Sequence, residues 1–158
     1  MPLEDKQSYG RVRRVCPGCG FIFFRGPKLA AGALIERAGQ VLLVRRSVDP
    51  GSGAWALPAG YMEHDEGPVA AAIRECYEET GLVIRITGLF GVYHTRNDPR
   101  GEGVLILYRA QIDSGALHAG DDAGDAQFFA ADALPRPIAF ASTRRALLRW
   151  RREQPRDP

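Results

Sequence analysis

Residues Gly60 to Leu82 constrain this chain more than any other stretch. Six acids (Glu63, Asp65, Glu66, Glu75, Glu78, Glu79) stand against one base, Arg74, a net of −5. The whole chain carries +2, so the residues outside the stretch carry +7. Gly67-Pro68 puts proline at the first turn of a helix, and Gly81 stands where a left-handed C-terminal glycine belongs. Between them Val69, Ile73, Cys76, Tyr77 and Thr80 recur at helical spacing, which predicts a helix over 68–80. On that helix Glu75, Glu78 and Glu79 share one face, and Arg74 precedes Glu78 by four residues, within ion-pair reach. Val69, Ile73 and Tyr77 are expected to face the core. So much negative charge calls for a positive neighbour. A hard divalent cation such as Mg²⁺ supplies one, because it takes carboxylate oxygens. A solvated acidic face is the competing reading of the helix alone.

The remainder of the chain bounds the fold. Its 158 residues suit one domain, long enough to bury a core without covalent staples. Hydrophobic residues at 45% and charged residues at 25% exclude a disordered chain. The near-balance of charge argues against a strongly electrostatic nucleic-acid binder. Cys16, Cys19 and Cys76 are too few, and odd in number, for a disulfide framework, so a cytoplasmic protein is expected. No apolar leader and no long apolar run is present, so neither a signal peptide nor a membrane span is expected. Residues 1–15 are polar and basic and are expected to be poorly ordered. Lys28 to Glu36 and Gln40 to Arg46 are apolar runs split by Arg37-Ala38-Gly39, a hairpin signal. Ala54–Leu57, Leu82–Leu89, Val104–Ala110 and Ala126–Ala130 read as strands, 49–53 and 97–101 as loops. Ser142 is the expected N-cap of a last helix ending at Arg151. Strands flanking two or three helices predict an α/β or α+β domain.

Gly60, five residues, Glu66, seven residues, then Arg74-Glu75-Cys76-Tyr77-Glu78-Glu79-Thr80-Gly81-Leu82 resembles the signature of the Nudix hydrolases, G-x5-E-x7-R-E-U-x-E-E-x-G-U with U apolar. All seven fixed positions match, and Cys76 fills an apolar position as a small hydrophobe. The lead-in Trp55-Ala56-Leu57-Pro58-Ala59-Gly60 is similar as well. The resemblance implies an α/β/α sandwich with a mixed sheet and a loop–helix–loop metal site. It implies hydrolysis, with Mg²⁺ or alternatively Mn²⁺, of a nucleoside diphosphate linked to another moiety, ADP-ribose or a dinucleotide being favoured. Triphosphate cleansing and nucleotide sensing without hydrolysis are the alternatives; a sensor would typically have lost box carboxylates, and none is lost here. By the same resemblance Glu75 and Glu79 are the best metal ligands, and a carbonyl of Ala59 or Gly60 completes the site. Glu78 is a third ligand or the partner that orients Arg74. Glu66 supports the loop by hydrogen bonding, and Glu75 is alternatively the general base.

Candidates outside this box follow from residue type and place. Arg45 and Arg46 end a strand just before a loop and could grip phosphate, or be solvated strand-end arginines. Many members of the resembling family take a further acid from a distant loop. Asp125, ahead of Phe128-Phe129, fits that place, with Glu102 as its rival and a plain acidic turn as the bland reading. Cys16-x-x-Cys19 has zinc-knuckle spacing and resembles the second half of the zinc ribbon preceding the Nudix domain in NADH pyrophosphatases. A tetrahedral site needs four ligands. The first cysteine pair is absent, so a metal-free remnant is expected and no zinc, a zinc shared between two chains or held with another ligand being the alternative. Phe21, Phe23, Phe24, Trp55, Tyr61 and Tyr93 could include a base-stacking ring, core or dimer packing being the default for each. Pro99 follows Leu82 by 17 residues, one off the spacing associated with ADP-ribose pyrophosphatases. The expected layout is a tail and ribbon knuckle over 1–27, the Nudix domain over 28–152 and a tail over 153–158. Basic residues near both ends (Arg11, Arg13, Arg14, Arg144, Arg145, Arg149, Arg151, Arg152) could bind phosphate. Even so, the expected partner is a small nucleotide-type substrate, not nucleic acid or membrane; the sequence does not give the oligomeric state, though a homodimer is common in the resembling family.

Overall fold

The computed structural model describes residues 2–96 and 101–155. The core strands are β4 (Lys28–Arg37), β5 (Gln40–Arg46), β8 (Leu82–Thr95), β9 (Gly103–Gly115) and β10 (Ala123–Ala130). They lie side by side in the order β10-β5-β4-β9-β8. The pair β4–β9 is parallel and its neighbours are antiparallel, so the sheet is mixed. Two short strands hang from it: β6 (Trp55–Ala56) pairs β5, and β7 (Ala59–Tyr61) pairs β4. Helix α1 (Pro68–Thr80) and helix α2 (Ala141–Glu153) cover the sheet.

The continuous apolar runs in β4 and β5 explain this layering, because a strand covered on both faces has no polar side to show. Ala31 to Ile35 and Val41 to Val44 are all buried. Alternate residues serve opposite faces. Leu34, Val41 and Leu43 join Trp55, Leu147 and Trp150 in the core under α2. Ala33, Ile35 and Leu42 join Cys76 and Ile84 under α1. The α/β/α sandwich expected from the sequence is the observed architecture.

Helix α1 ends as its sequence dictates. Gly81 adopts φ 69° and its N–H donates to the Tyr77 carbonyl. The helix is rotated from the expected orientation, however. Tyr77 is 58% exposed and Val69 42%, whereas Ala71, Ala72, Cys76, Glu79 and Thr80 are buried. Alanines at positions 71 and 72 meet Ala31 of β4. Small residues let the helix sit close to the sheet, and that closeness turns a carboxylate inward.

Other expectations need correcting. Residues 4–15 are not loose. β1 (Glu4–Ser8) and β2 (Arg11–Val15) form an antiparallel hairpin, and β3 (Ile22–Phe23) adds to β2. Tyr9 and Gly10 turn it with φ 51° and 74°, the primed-turn geometry that matches strand twist. β8 extends to Thr95 instead of Leu89, crossing three register shifts against β9. Ser142 is not the cap of α2. The N-cap is Phe140, without a side-chain capping bond, and Ser142 is buried inside the first turn. Of the expected 97–101 loop, Asn97 to Arg100, including Pro99, lie outside the described residues.

Candidate active site

The acidic box organises one end of the sheet. Arg74 is its hub. Its guanidinium grips both oxygens of Glu66, at 3.1 Å from Nε and 2.5 Å from Nη2. It also donates to Glu75 Oε1 (2.7 Å), Glu78 Oε2 (3.0 Å) and the Tyr61 carbonyl (3.1 Å). Glu66 additionally accepts the Glu63 N–H at 2.8 Å. These bonds to the ionised form hold the Glu66 carboxyl down at about 2, and the same partners raise the Arg74 guanidinium further. The loop before α1 is thereby tied to the helix by its own charges.

Glu75, still held by Arg74, and Glu79 both line a cleft of about 590 Å³. Glu79 is 3% exposed and accepts the Ala59 N–H at 3.1 Å. Burial, reinforced by the charges of Asp122 and Glu75, pushes its carboxyl up to about 9. Burial also raises Glu75, against the pull of Arg74. A Cβ on Gly60 would lie 2.2 Å from Glu75 Oε2, so glycine is what lets the β7 backbone pass beside that carboxylate. Ala59 and Gly60 line the same cleft, whereas Glu66, Arg74 and Glu78 stand outside its lining.

The loop between β9 and β10 completes the cleft. Its His118 and Gly120 N–H groups donate to the Thr80 and Glu79 carbonyls, satisfying acceptors that the end of α1 leaves open. That docking presents Asp121 and Asp122 to the cleft. Ser47 secures the loop from β5's end, its N–H and hydroxyl both donating to the Asp122 carbonyl. Arg46 Nη2 stands 3.8 Å from Asp122 Oδ2.

Strand alternation sorts the paired arginines, since neighbours on a strand point to opposite faces. Arg46 lines the cleft; Arg45 turns out to solvent and donates to the Gly53 carbonyl. The same rule removes Asp125 from the cleft. Its carboxylate accepts the Ala126 N–H and the Gln127 amide on the open side of β10. Glu102 stands outside the cleft lining too, 2.5 Å from His94 Nε2. Cys16 and Cys19 lie in the turn between β2 and β3, apart from the acids. Backbone N–H groups of Cys19 and Gly18 lower the Cys16 thiol.

Sequence reasoning missed Asp121, Asp122, Lys28, Arg96 and Phe140 as cleft residues, and it had placed Arg144 only with the terminal bases. The acidic run 120–125 was visible in the sequence; which of its aspartates faces inward was not. Of the six aromatics singled out, Tyr61 lines the cleft beneath the Lys28 ammonium, 5.2 Å from the ring centre. Trp55 and Tyr93 belong to the core.

Among the described residues no three His, Cys, Asp or Glu side chains form a ready-made metal cluster. Glu75 is turned onto Arg74 and Glu79 onto the Ala59 N–H. The donor set nevertheless fits a hard divalent ion. Glu79 is buried and Glu75 half-buried, and the neighbouring charge of Asp122 helps raise both carboxyls; a cation relieves that repulsion directly.

Comparison with known proteins agrees with this geometry. A family model described as the NUDIX domain matches residues 26–151. The chain is 38% identical over 128 residues to an ADP-ribose pyrophosphatase of Methanocaldococcus jannaschii, covering 79% of this chain and 75% of that protein. It is 31% identical to the NAD-capped RNA hydrolase NudC of Pseudomonas aeruginosa, over 90% of this chain and half of that one. The crystal structure of a NUDIX hydrolase from Nitrosomonas europaea superposes with a TM-score of 0.85 at 31% identity, covering 96% of this chain and 86% of that one. Motif, fold and relatives converge, and the chain belongs to the NUDIX domain family.

Proposed function

We propose that this Nudix hydrolase cleaves the diphosphate bridge of ADP-ribose or a dinucleotide of the same type, releasing a nucleoside monophosphate and a second phosphorylated fragment. One observation carries the reading. Glu75, Glu79 and Asp122 share a single cleft with Lys28, Arg46, Arg96 and Arg144. Carboxylates and cations lining one cleft suit an anionic substrate delivered to a metal. The similarity to an ADP-ribose pyrophosphatase supports the choice of substrate.

Glu75 and Glu79 are the residues that would hold Mg²⁺ or Mn²⁺, with a carbonyl of Ala59 or Gly60 beside them and Glu78 as a third ligand or the partner that orients Arg74. When bound, such an ion neutralises phosphate charge and acidifies the attacking water. The chain's own contribution is positional. Arg46 and Lys28 orient the diphosphate by charge-assisted hydrogen bonds. Asp122 faces the cleft from a separate loop and is placed to take a proton from water or to help hold the ion. Glu66 and Arg74 act at one remove, fixing the end of β7, which carries Ala59 and Gly60, and the loop that follows it. The Cys16–Cys19 turn is read as a ribbon remnant without zinc. A homodimer in the cytoplasm is the proposed setting.

The test is product analysis. Purified protein with Mg²⁺ and ADP-ribose should release AMP and ribose 5-phosphate, resolved by ion-exchange chromatography. Release of nothing from a panel of ADP-ribose, NADH and dinucleoside polyphosphates sinks the proposal. Sedimentation analysis decides the assembly.

A further inference from the structure

We propose that Phe140 is a specificity-determining residue, its ring serving as the platform on which the planar nucleobase of the substrate stacks. The inference rests on the diphosphate-hydrolase reading above and names how the non-reacting end of the substrate is held.

Four observations carry it. First, Phe140 lines the same cleft as Glu75 and Glu79 and is only partly buried. Second, its backbone has φ 57° and ψ 139°, a conformation that a bulky L residue rarely adopts. A phenyl ring, and not a glycine, stands at this point. Third, flanking hydrogen bonds hold the backbone in place. The Ala139 N–H donates to the Trp55 carbonyl at 2.8 Å, and the Arg144 N–H to the Phe140 carbonyl at 3.2 Å. Fourth, the ring is backed. It packs on the small cluster of Ala54, Ala56 and Ala139, and the Arg46 guanidinium lies 5.2 Å from its centre.

Arg46 is itself pinned, donating from Nε to the Pro50 carbonyl at 2.9 Å and standing beside Asp122. One arginine therefore links the ring to the carboxylates. A base on the ring would leave its diphosphate within that arginine's span. A strained residue persists where the surroundings over-determine it, and such residues cluster at ligand clamps. Stacking is tolerant of base identity because every base has a π-face. Phe140 would thus separate nucleoside diphosphates from diphosphates without a base, and not adenine from other bases.

The experiment compares two ligands that share a diphosphate and differ by the nucleoside: ADP and inorganic pyrophosphate, with Mg²⁺ present. Titration calorimetry on the full chain should show Phe140→Leu weakening ADP about tenfold while pyrophosphate stays within twofold. Phe140→Trp, which keeps a π-face, should hold ADP within threefold of wild type. The KM for ADP-ribose should rise about tenfold in Phe140→Leu with kcat little changed. Equal weakening of both ligands, loss of both, or unchanged ADP binding overturns the proposal, as does a wild type that binds pyrophosphate no more weakly than ADP. The outcomes separate from the hydrolysis reading. A wild type that fails to cleave ADP-ribose sinks that reading, while the calorimetric contrast still decides Phe140.

Discussion

Glu79 shows how one side chain couples stability to chemistry. Its carboxyl is raised to about 9 by burial and by neighbouring acids. A raised carboxyl favours the metal-free fold when protonated, so its contribution is complete below about 4.5 and is lost as pH climbs toward 9. Glu79→Gln removes that loss. In chelator at pH 8 the variant should be more stable than wild type, on the order of 2 kcal/mol, by urea denaturation, while ADP-ribose turnover falls at least a hundredfold. A less stable variant, or one with normal turnover, contradicts the assignment. Metal binding to wild type should also release protons, measurable as buffer-dependent heats. Glu66 titrates in the opposite sense. Arg74 lowers its carboxyl to about 2 from about 4.5, so the stability it brings is present above 4.5 and lost as pH falls toward 2. Glu66→Gln should flatten that acid limb of a thermal-midpoint-versus-pH curve.

At the scale of the element, α1 is held by its end as much as by its face. Gly81 combines φ 69° with a Cβ position 2.0 Å from His118 Cε1 and 2.9 Å from the Ala116 carbonyl. Gly81→Ala therefore imposes backbone strain and a collision, and should cost about 2 kcal/mol or more. His118→Ala in the same chain should recover part of that cost, leaving the left-handed strain and the close approach to the Ala116 carbonyl. A full recovery would show that the backbone conformation is cheap; no recovery would show that His118 moves freely. The ends of this helix were legible in the sequence because proline, glycine and cap geometry act within a few residues. Its rotation was not. Tyr77 and Val69 obey helical periodicity, but small alanines and the Glu79 carboxylate compete for the inner face, and they win.

The whole molecule decides which distant groups meet. Asp122 reaches the cleft because the β9–β10 loop docks on the last carbonyls of α1, whereas Asp125 has already entered β10 and faces away. Asp122→Asn should lower kcat by about ten- to a hundredfold, and Asp125→Asn should leave it within twofold; steady-state kinetics on ADP-ribose tests both. The reverse order would restore Asp125. The N-terminal hairpin belongs to this scale too: Glu4 to Val15 lacks apolar alternation, yet it pairs through a two-residue turn. By itself the sequence determined the acidic box, the ends of α1, the doubly covered strands β4 and β5, and hence the family. Each of those signals is local, written in spacing, capping or an unbroken apolar run. Only the tertiary structure decided that Arg46 and not Arg45, Asp122 and not Asp125, and Phe140 at the mouth of α2 face one cleft. Those choices depend on pleat parity and on loops docking across the sheet, and no short window of sequence contains both partners.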